Sequence, residues 1–181
     1  MKKIALAAII FSLFTSCSKP VEEIELPEVS IAKAEARLNK LASMMYDYEQ
    51  ADEIHQYLDS LKRARFHPVT EDSTVLFVHF GAAETVEWRG SFNSWGNDTT
   101  ENRKGEQLGQ SKIWTLKKNF PSDARVDYKI VVNGDRWMED PYNLNRQLGG
   151  SGYNSELRMP DFKEDPITRY LRFYNESGDF L

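Results

Sequence analysis

A series of short apolar runs separated by turn residues, beginning at residue 74, most restricts the fold of this chain. Asn133-Gly134 between two of these runs is a strong signal for a β-hairpin. Strands of this length, recurring about every ten residues with Gly- and Asn-rich turns between them, favour an antiparallel β-sandwich. The predicted strands lie at residues 74–80, 85–89, 111–120, 125–132, 136–138 and 155–159.

A different pattern precedes the strands. Residues 29–65 contain no proline or glycine, and their apolar side chains recur at helical spacing. Leu38, Leu41, Met45 and Tyr48 form one such set, and a second set includes Ile54, Leu58 and Leu61. We therefore expect one or two helices here, starting at a Ser30 cap and breaking near residues 48–52.

The first residues resemble the export signal of a bacterial lipoprotein. Two lysines precede an apolar stretch that is too short to span a bilayer, and Cys17 follows directly after small residues. The resemblance implies lipid attachment at Cys17 and a lipid anchor in the cell envelope, at the outer membrane, on its periplasmic or surface side. The whole chain is expected to divide into a signal peptide (1–16), an acidic tether (17–28), a helical segment (29–66), a β-sandwich (67–162) and a C-terminal extension or truncated linker (163–181).

Composition excludes two classes of protein. The formal net charge is -5 and no basic run is present, which argues against nucleic-acid binding. Cys17 is the single cysteine among the 181 residues, so no disulfide forms within the chain.

Specific segments of the predicted sandwich carry a family resemblance. They are GSFNSW at 90–95, YKIVVNG at 128–134, Trp137, Asp-Pro at 140–141, QLG at 147–149 and Asn154. Their order and spacing resemble the early-set, immunoglobulin-like sandwich of the glycogen-binding and isoamylase N-terminal group. Two further segments, EDSTV at 71–75 and GGSGYNSELRMP at 149–160, resemble most closely the N-terminal domain of enterochelin-esterase-like proteins, in which an α/β-hydrolase domain follows the sandwich.

The resemblance to glycogen-binding domains implies a set of carbohydrate-binding residues. Members that bind α-glucans use two tryptophans, a lysine, a leucine and an asparagine, which correspond here to Trp95, Lys129, Trp137, Leu148 and Asn154. Flat aromatic rings suit the weakly apolar faces of sugars, and the polar groups suit their hydroxyls. Trp88 and Trp114 lie within predicted strands and are expected in the core.

The sequence offers no catalytic constellation. No serine has the glycines of a Gly-x-Ser-x-Gly nucleophile turn, and His55, His67 and His79 lie in different predicted elements. We therefore expect no enzyme activity from this chain, no metal and no cofactor.

Two functions remain open. The first is a non-catalytic, lipid-anchored α-glucan-binding module of the cell envelope, whose partners are a glycan and the membrane. The second is the N-terminal accessory domain of an enterochelin-esterase-like hydrolase, with a hydrolase domain or subunit as its partner. A third use, protein interaction through the helices at residues 29–65, is a weaker alternative.

Overall fold

The computed structural model of the protein describes residues 29–44 and 48–167. The predicted signal peptide, Cys17 and the tether lie outside the described residues, as do residues 168–181 of the predicted extension.

Within residues 29–44 and 48–167, two helices precede nine strands. The helices are α1 (Ile31–Ala42) and α2 (Tyr48–Arg63). The strands are β1 (Val69–Glu71), β2 (Thr74–Phe80), β3 (Val86–Gly90), β4 (Glu106–Gln107), β5 (Ile113–Asn119), β6 (Arg125–Val132), β7 (Arg136–Met138), β8 (Arg146–Gly149) and β9 (Gly152–Arg158). A short 3-10 segment, Ser91–Gly96, follows β3 directly.

The strands form two antiparallel sheets. The first has the order β1-β2-β5-β4, and the second has the order β3-β6-β9-β8, with β7 also paired to β6. Asn133 and Gly134, both at positive φ, make the β6–β7 turn that the Asn-Gly signal predicts. The prediction of a mainly β sandwich preceded by helices is confirmed.

The first sheet is the middle of three layers. On one of its faces Leu76, Val78 and Ile113 pack against the buried side chains of α1 and α2. On its other face Val75 and Phe77 pack against the second sheet. The alternation of side chains along a strand thus supplies two cores from one sheet, and the two helices cover the side away from the second sheet.

Capping sets the ends of the first helix. The Ser30 hydroxyl accepts a hydrogen bond from the Lys33 backbone N–H, which confirms the predicted cap. Beyond Ala42, the Ser43 hydroxyl donates to the Lys40 carbonyl, and the Gln50 side-chain amide donates to the Leu41 carbonyl. These bonds satisfy carbonyls at the end of α1.

The predicted break at residues 48–52 is wrong, because α2 already begins at Tyr48. Tyr48 is 92% exposed, so it does not belong to the buried face either; Gln50, Ile54, Leu58 and Leu61 form that face.

No helix within residues 29–44 and 48–167 has the length and apolar character needed to cross a membrane.

A buried carboxylate joins the segment after α2 to the second sheet. Asp140 Oδ2 lies 3.0 Å from His67 Nε2 and accepts a hydrogen bond from the Tyr128 hydroxyl, while Oδ1 accepts from the Tyr142 backbone N–H. Burial raises the pKa of Asp140, but the His67 charge and these hydrogen bonds outweigh burial and hold the pKa below its ordinary value of 3.8. Asp140 is therefore ionised and multiply bonded in the folded protein.

We predict that Asp140→Asn lowers the free energy of unfolding at pH 7 by about 3 kcal/mol, because His67 loses its buried partner. A depressed pKa in the folded state contributes stability above the unfolded-state pKa, and that contribution is lost as the pH falls through the folded-state pKa. The native protein should therefore lose stability below about pH 4, and the variant should lose less over the same range. Urea unfolding between neutral and acid pH measures both effects.

The exposed Asp123→Asn serves as the control and should leave the pH dependence unchanged. If the free energy of unfolding of Asp140→Asn falls with decreasing pH as steeply as that of the native protein, Asp140 is not the source of the acid sensitivity.

Candidate functional site

The candidate site forms where β6 changes its partner strand. The first half of β6 pairs with β9, ending at Tyr128 opposite Ser155, and the second half pairs with β7, starting at Ile130 opposite Met138. Lys129 lies at the junction. Because Tyr128 and Ile130 belong to the core between the sheets, alternation directs Lys129 to the outer face of the second sheet.

Four of the five residues implied by the glycogen-binding resemblance line one pocket of about 550 Å³ on this outer face. They are Trp95, Lys129, Trp137 and Asn154, and Gly150 and Ser151 complete the lining. Such a volume is typical of sites for small molecules. The helices pack on the first sheet, so they do not cover the pocket.

Leu148 is not brought to this pocket. It lies on β8, opposite Tyr153, and is 57% exposed. It lines a neighbouring pocket together with Arg125, Asp127 and Gln147. Cys17, the predicted lipid attachment, lies outside the described residues.

Asn93 shapes the turn that presents Trp95. Its side-chain Oδ1 accepts hydrogen bonds from the backbone N–H groups of Gly90 and Gly96, at 2.9 and 3.1 Å, and its Nδ2 donates to the Trp88 carbonyl at 2.9 Å. Asn93 is 1% exposed, whereas Trp95 follows two residues later at φ 58° and is half-buried. One buried amide thus holds both ends of the turn and leaves the indole of Trp95 at the surface.

Glycine at position 90 is required by close packing. A Cβ there would lie 2.2 Å from the Asp127 carbonyl oxygen, so the turn starts where only a residue without a side chain fits. The segment that the sequence singled out as GSFNSW is therefore a structural unit that ends in an accessible tryptophan.

Arg89 supports Trp137 from the side of β3. Its guanidinium carbon lies 5.3 Å from the centre of the Trp137 ring, within range for a cation–π contact. Its stem passes close to Gly96, where a Cβ would come within 2.6 Å of the Arg89 Cδ atom. Arg89 therefore lies between Trp137 and the turn that carries Trp95.

Glu87 fixes Arg89 in place. The Nε atoms of Arg89 and Arg103 donate to Glu87 Oε2 at 2.7 and 3.0 Å. Burial alone would raise the pKa of Glu87, but the hydrogen bonds and charges of the two arginines outweigh it and hold the pKa below its usual value. One carboxylate thus orders two cations on the outer face of the sheet.

Asn154 contributes an amide from the far side of the pocket. It lies on β9 next to the glycine-rich β8–β9 turn, and a Cβ at Gly149 would lie 2.6 Å from its Nδ2 atom. Within residues 29–44 and 48–167, neither the side-chain amide of Asn154 nor the side-chain ammonium of Lys129 forms a hydrogen bond or ion pair. The pocket therefore combines two accessible indoles with two polar groups that are available to a ligand.

Trp88 and Trp114 are buried at 0% and 6% exposure, which confirms their prediction as core residues. The exposure of Trp137 is 42%. The four tryptophans therefore divide into a buried pair and a pair at the pocket.

The three histidines of the described residues differ in burial and in their partners. The His67 and Asp140 side chains are both 0% exposed, so no substrate reaches this pair. His55 contacts the Tyr142 hydroxyl at 2.7 Å, and neither ring nitrogen of His79 has a hydrogen-bond partner in the described part of the chain. No group of three or more potential metal ligands occurs within residues 29–44 and 48–167.

Comparison with known proteins yields similar solved structures. No protein-family model matches the chain, and no curated protein matches it. One similar solved structure is the ferric enterobactin esterase from Salmonella typhimurium, which is 12% identical in sequence with a TM-score of 0.46. The matched region covers 53% of this chain and 33% of the esterase chain. A second is the enterobactin esterase from Shigella flexneri in the presence of enterobactin, which is 16% identical with a TM-score of 0.44. The match covers 53% of this chain and 32% of that esterase. A third is a putative α-amylase from Salmonella typhimurium, which is 15% identical with a TM-score of 0.38. The match covers 50% of this chain and 14% of the amylase chain.

The chain spans about a third of the length of the esterases to which it is similar. Because these TM-scores are below 0.5, the likeness assigns no function to this chain.

We predict that Asn93→Ala destabilises the protein by about 2 kcal/mol, because two backbone N–H groups and one carbonyl lose their partner. The fluorescence of Trp95 should also shift towards that of a solvent-exposed indole. Urea unfolding and emission spectra measure the two effects. The exposed Asn97→Ala removes the same side chain from the end of the same turn and should change stability by less than about 0.5 kcal/mol. Equal effects of the two substitutions would contradict the role given to Asn93.

Proposed function

We propose that this chain is a non-catalytic carbohydrate-binding module, with an α-glucan as its ligand. The observation that carries the proposal is the convergence of Trp95, Trp137, Lys129 and Asn154 on one pocket. These residues come from a turn, two neighbouring strands and a hairpin, and a purely structural role does not require them to meet at the surface.

Binding would occur by stacking and by hydrogen bonding at the rim. The two indoles offer flat apolar surface to the C–H faces of successive sugar rings, while Lys129 donates to hydroxyls and Asn154 both donates and accepts. Few groups lose water in such a complex, so we expect a dissociation constant of about 0.1–1 mM.

The module would be held at the cell envelope. Lipid attachment at Cys17, on the bacterial outer membrane, would place it close to polysaccharide on the periplasmic or surface side. Two or more acyl chains suffice for stable anchoring, whereas one chain is marginal. Metabolic labelling with palmitate tests the anchor, since label that persists in Cys17→Ser would contradict it.

A second candidate is an accessory domain of an esterase-like hydrolase. The names of the similar solved structures correspond to this candidate, and the sequence resemblance at residues 149–160 supports it. In that case a hydrolase domain or subunit would supply the chemistry. A Gly-x-Ser-x-Gly segment in the coding DNA after the codon for Leu181 would favour this candidate; its absence there would count against it.

We predict that the protein is retarded in native gels that contain glycogen, and that Trp95→Ala and Trp137→Ala each weaken this retardation at least tenfold. The loss corresponds to about 1.4 kcal/mol, which is the order expected for one aromatic stacking contact. Affinity electrophoresis across a series of glycogen concentrations measures it.

Tyr48→Ala is the matched control, because Tyr48 is an exposed aromatic residue on α2, in the layer away from the pocket. It should bind as the native protein does. Retardation that is absent from the folded native protein, or that survives both tryptophan substitutions, would contradict the proposed glucan site.

A further inference from the structure

The pocket carries positive charge within an acidic chain. Its lining contains Lys129 and, among the described residues, no aspartate or glutamate. The chain as a whole has a formal net charge of -5. A free cation in such a pocket is better suited to an anion than to a neutral hydroxyl. Lys129 forms a charge-assisted hydrogen bond with either partner, but only an anion adds the Coulomb attraction between opposite charges.

A second cation lies directly across the sheet. The register of β3 and β6 places Arg89 opposite Lys129, and alternation puts both on the outer face. Like charges in such a cross-strand pair destabilise a sheet. Arg89 and Lys129 form such a like-charged pair beside the pocket. A ligand of opposite charge would reduce the repulsion between them.

The neighbouring carboxylates Glu87 and Asp127 pair with arginines and not with Lys129. Glu87 is shared between Arg89 and Arg103, so two cations face one anion. Asp127, two residues before Lys129 on the same face, has its Oδ1 atom 3.1 Å from a terminal nitrogen of Arg125, which also pairs with the buried Glu156. Lys129 itself forms no ion pair with any described residue.

The position of the charge relative to Trp137 defines how such a ligand would lie. Arg89 contacts the Trp137 ring, and Lys129 lines the same pocket as that ring. A sugar ring stacked on Trp137 would therefore have a substituent within reach of the Lys129 ammonium. Resting on the proposed saccharide site, we infer that the pocket takes an acidic saccharide, one whose anionic group pairs with Lys129 while its ring stacks on Trp137.

The test compares three ligands that differ only at one carbon of each ring. They are maltohexaose, the same oligosaccharide with its C6 hydroxyls oxidised to carboxylates, and the methyl ester of that acid. Tryptophan fluorescence titration of the native protein should give at least tenfold tighter binding of the acid than of the other two. Lys129→Gln should remove this preference, and Lys40→Gln, which makes the same charge change on exposed α1, should keep it. Raising NaCl from about 0.05 M to about 0.5 M should reduce the preference by screening.

The outcomes separate the two levels of the argument. An acid that binds no tighter than its ester, with maltohexaose still bound, would overturn the preference for anions and leave the saccharide site intact. A preference that persists in Lys129→Gln would overturn the role of Lys129. Failure of all three ligands to bind the folded native protein would overturn the saccharide site and, with it, this inference.

Discussion

The first sheet buries apolar side chains on both of its faces, and the other layers follow from this constraint. Leu76 and Val78 require the helices on one side, while Val75 and Phe77 require the second sheet on the other. Burying one such side chain contributes about 2 kcal/mol to the stability of the fold, so loss of either the helices or the second sheet would destabilise the first sheet. With these faces occupied, the outer face of the second sheet remains open to a ligand, and the pocket lies there.

The pocket depends on two local devices that the sandwich supports. The change of partner along β6 brings β7 and the start of β9 next to Lys129, both on the edge of β6 opposite β3. The Asn93 amide closes the turn after β3 and directs Trp95 to the same face. Hydrogen bonds between strand backbones fix the first device, and bonds between the Asn93 side chain and the backbone fix the second. The pocket is therefore formed before any ligand arrives, which lowers the entropic cost of binding.

Local patterns in the sequence predicted much of this fold. Period-two alternation located β2, β3, β5 and β6, and Asn-Gly located the β6–β7 hairpin, because these signals reflect local burial and local φ. Strands β1, β4 and β8 escaped prediction, since each has two to four residues and depends on its neighbour for pairing. Tyr48 was misplaced because helical spacing alone does not say where one helix stops and the next begins.

Residues whose role depends on distant partners were harder to predict. Asp140 before Pro141 has the local pattern of a turn, yet its side chain is buried against His67, 73 residues earlier in the chain. Of the residues implied by the family resemblance, Trp95, Lys129, Trp137 and Asn154 line one pocket, whereas Leu148 lines a different one. The pairing of Lys129 with Arg89 across the sheet depends on register, which the sequence alone does not specify.

The most direct test of the account uses the four tryptophans as reporters. Two-dimensional NMR of the ¹⁵N-labelled protein resolves the indole N–H groups, and single Trp→Phe variants assign them. Addition of maltohexaose should shift the signals of Trp95 and Trp137 and leave those of the buried Trp88 and Trp114 in place. Shifts confined to the buried pair, or no shift of any indole at saturating sugar, would contradict the central claim that this outer-face pocket is the binding site.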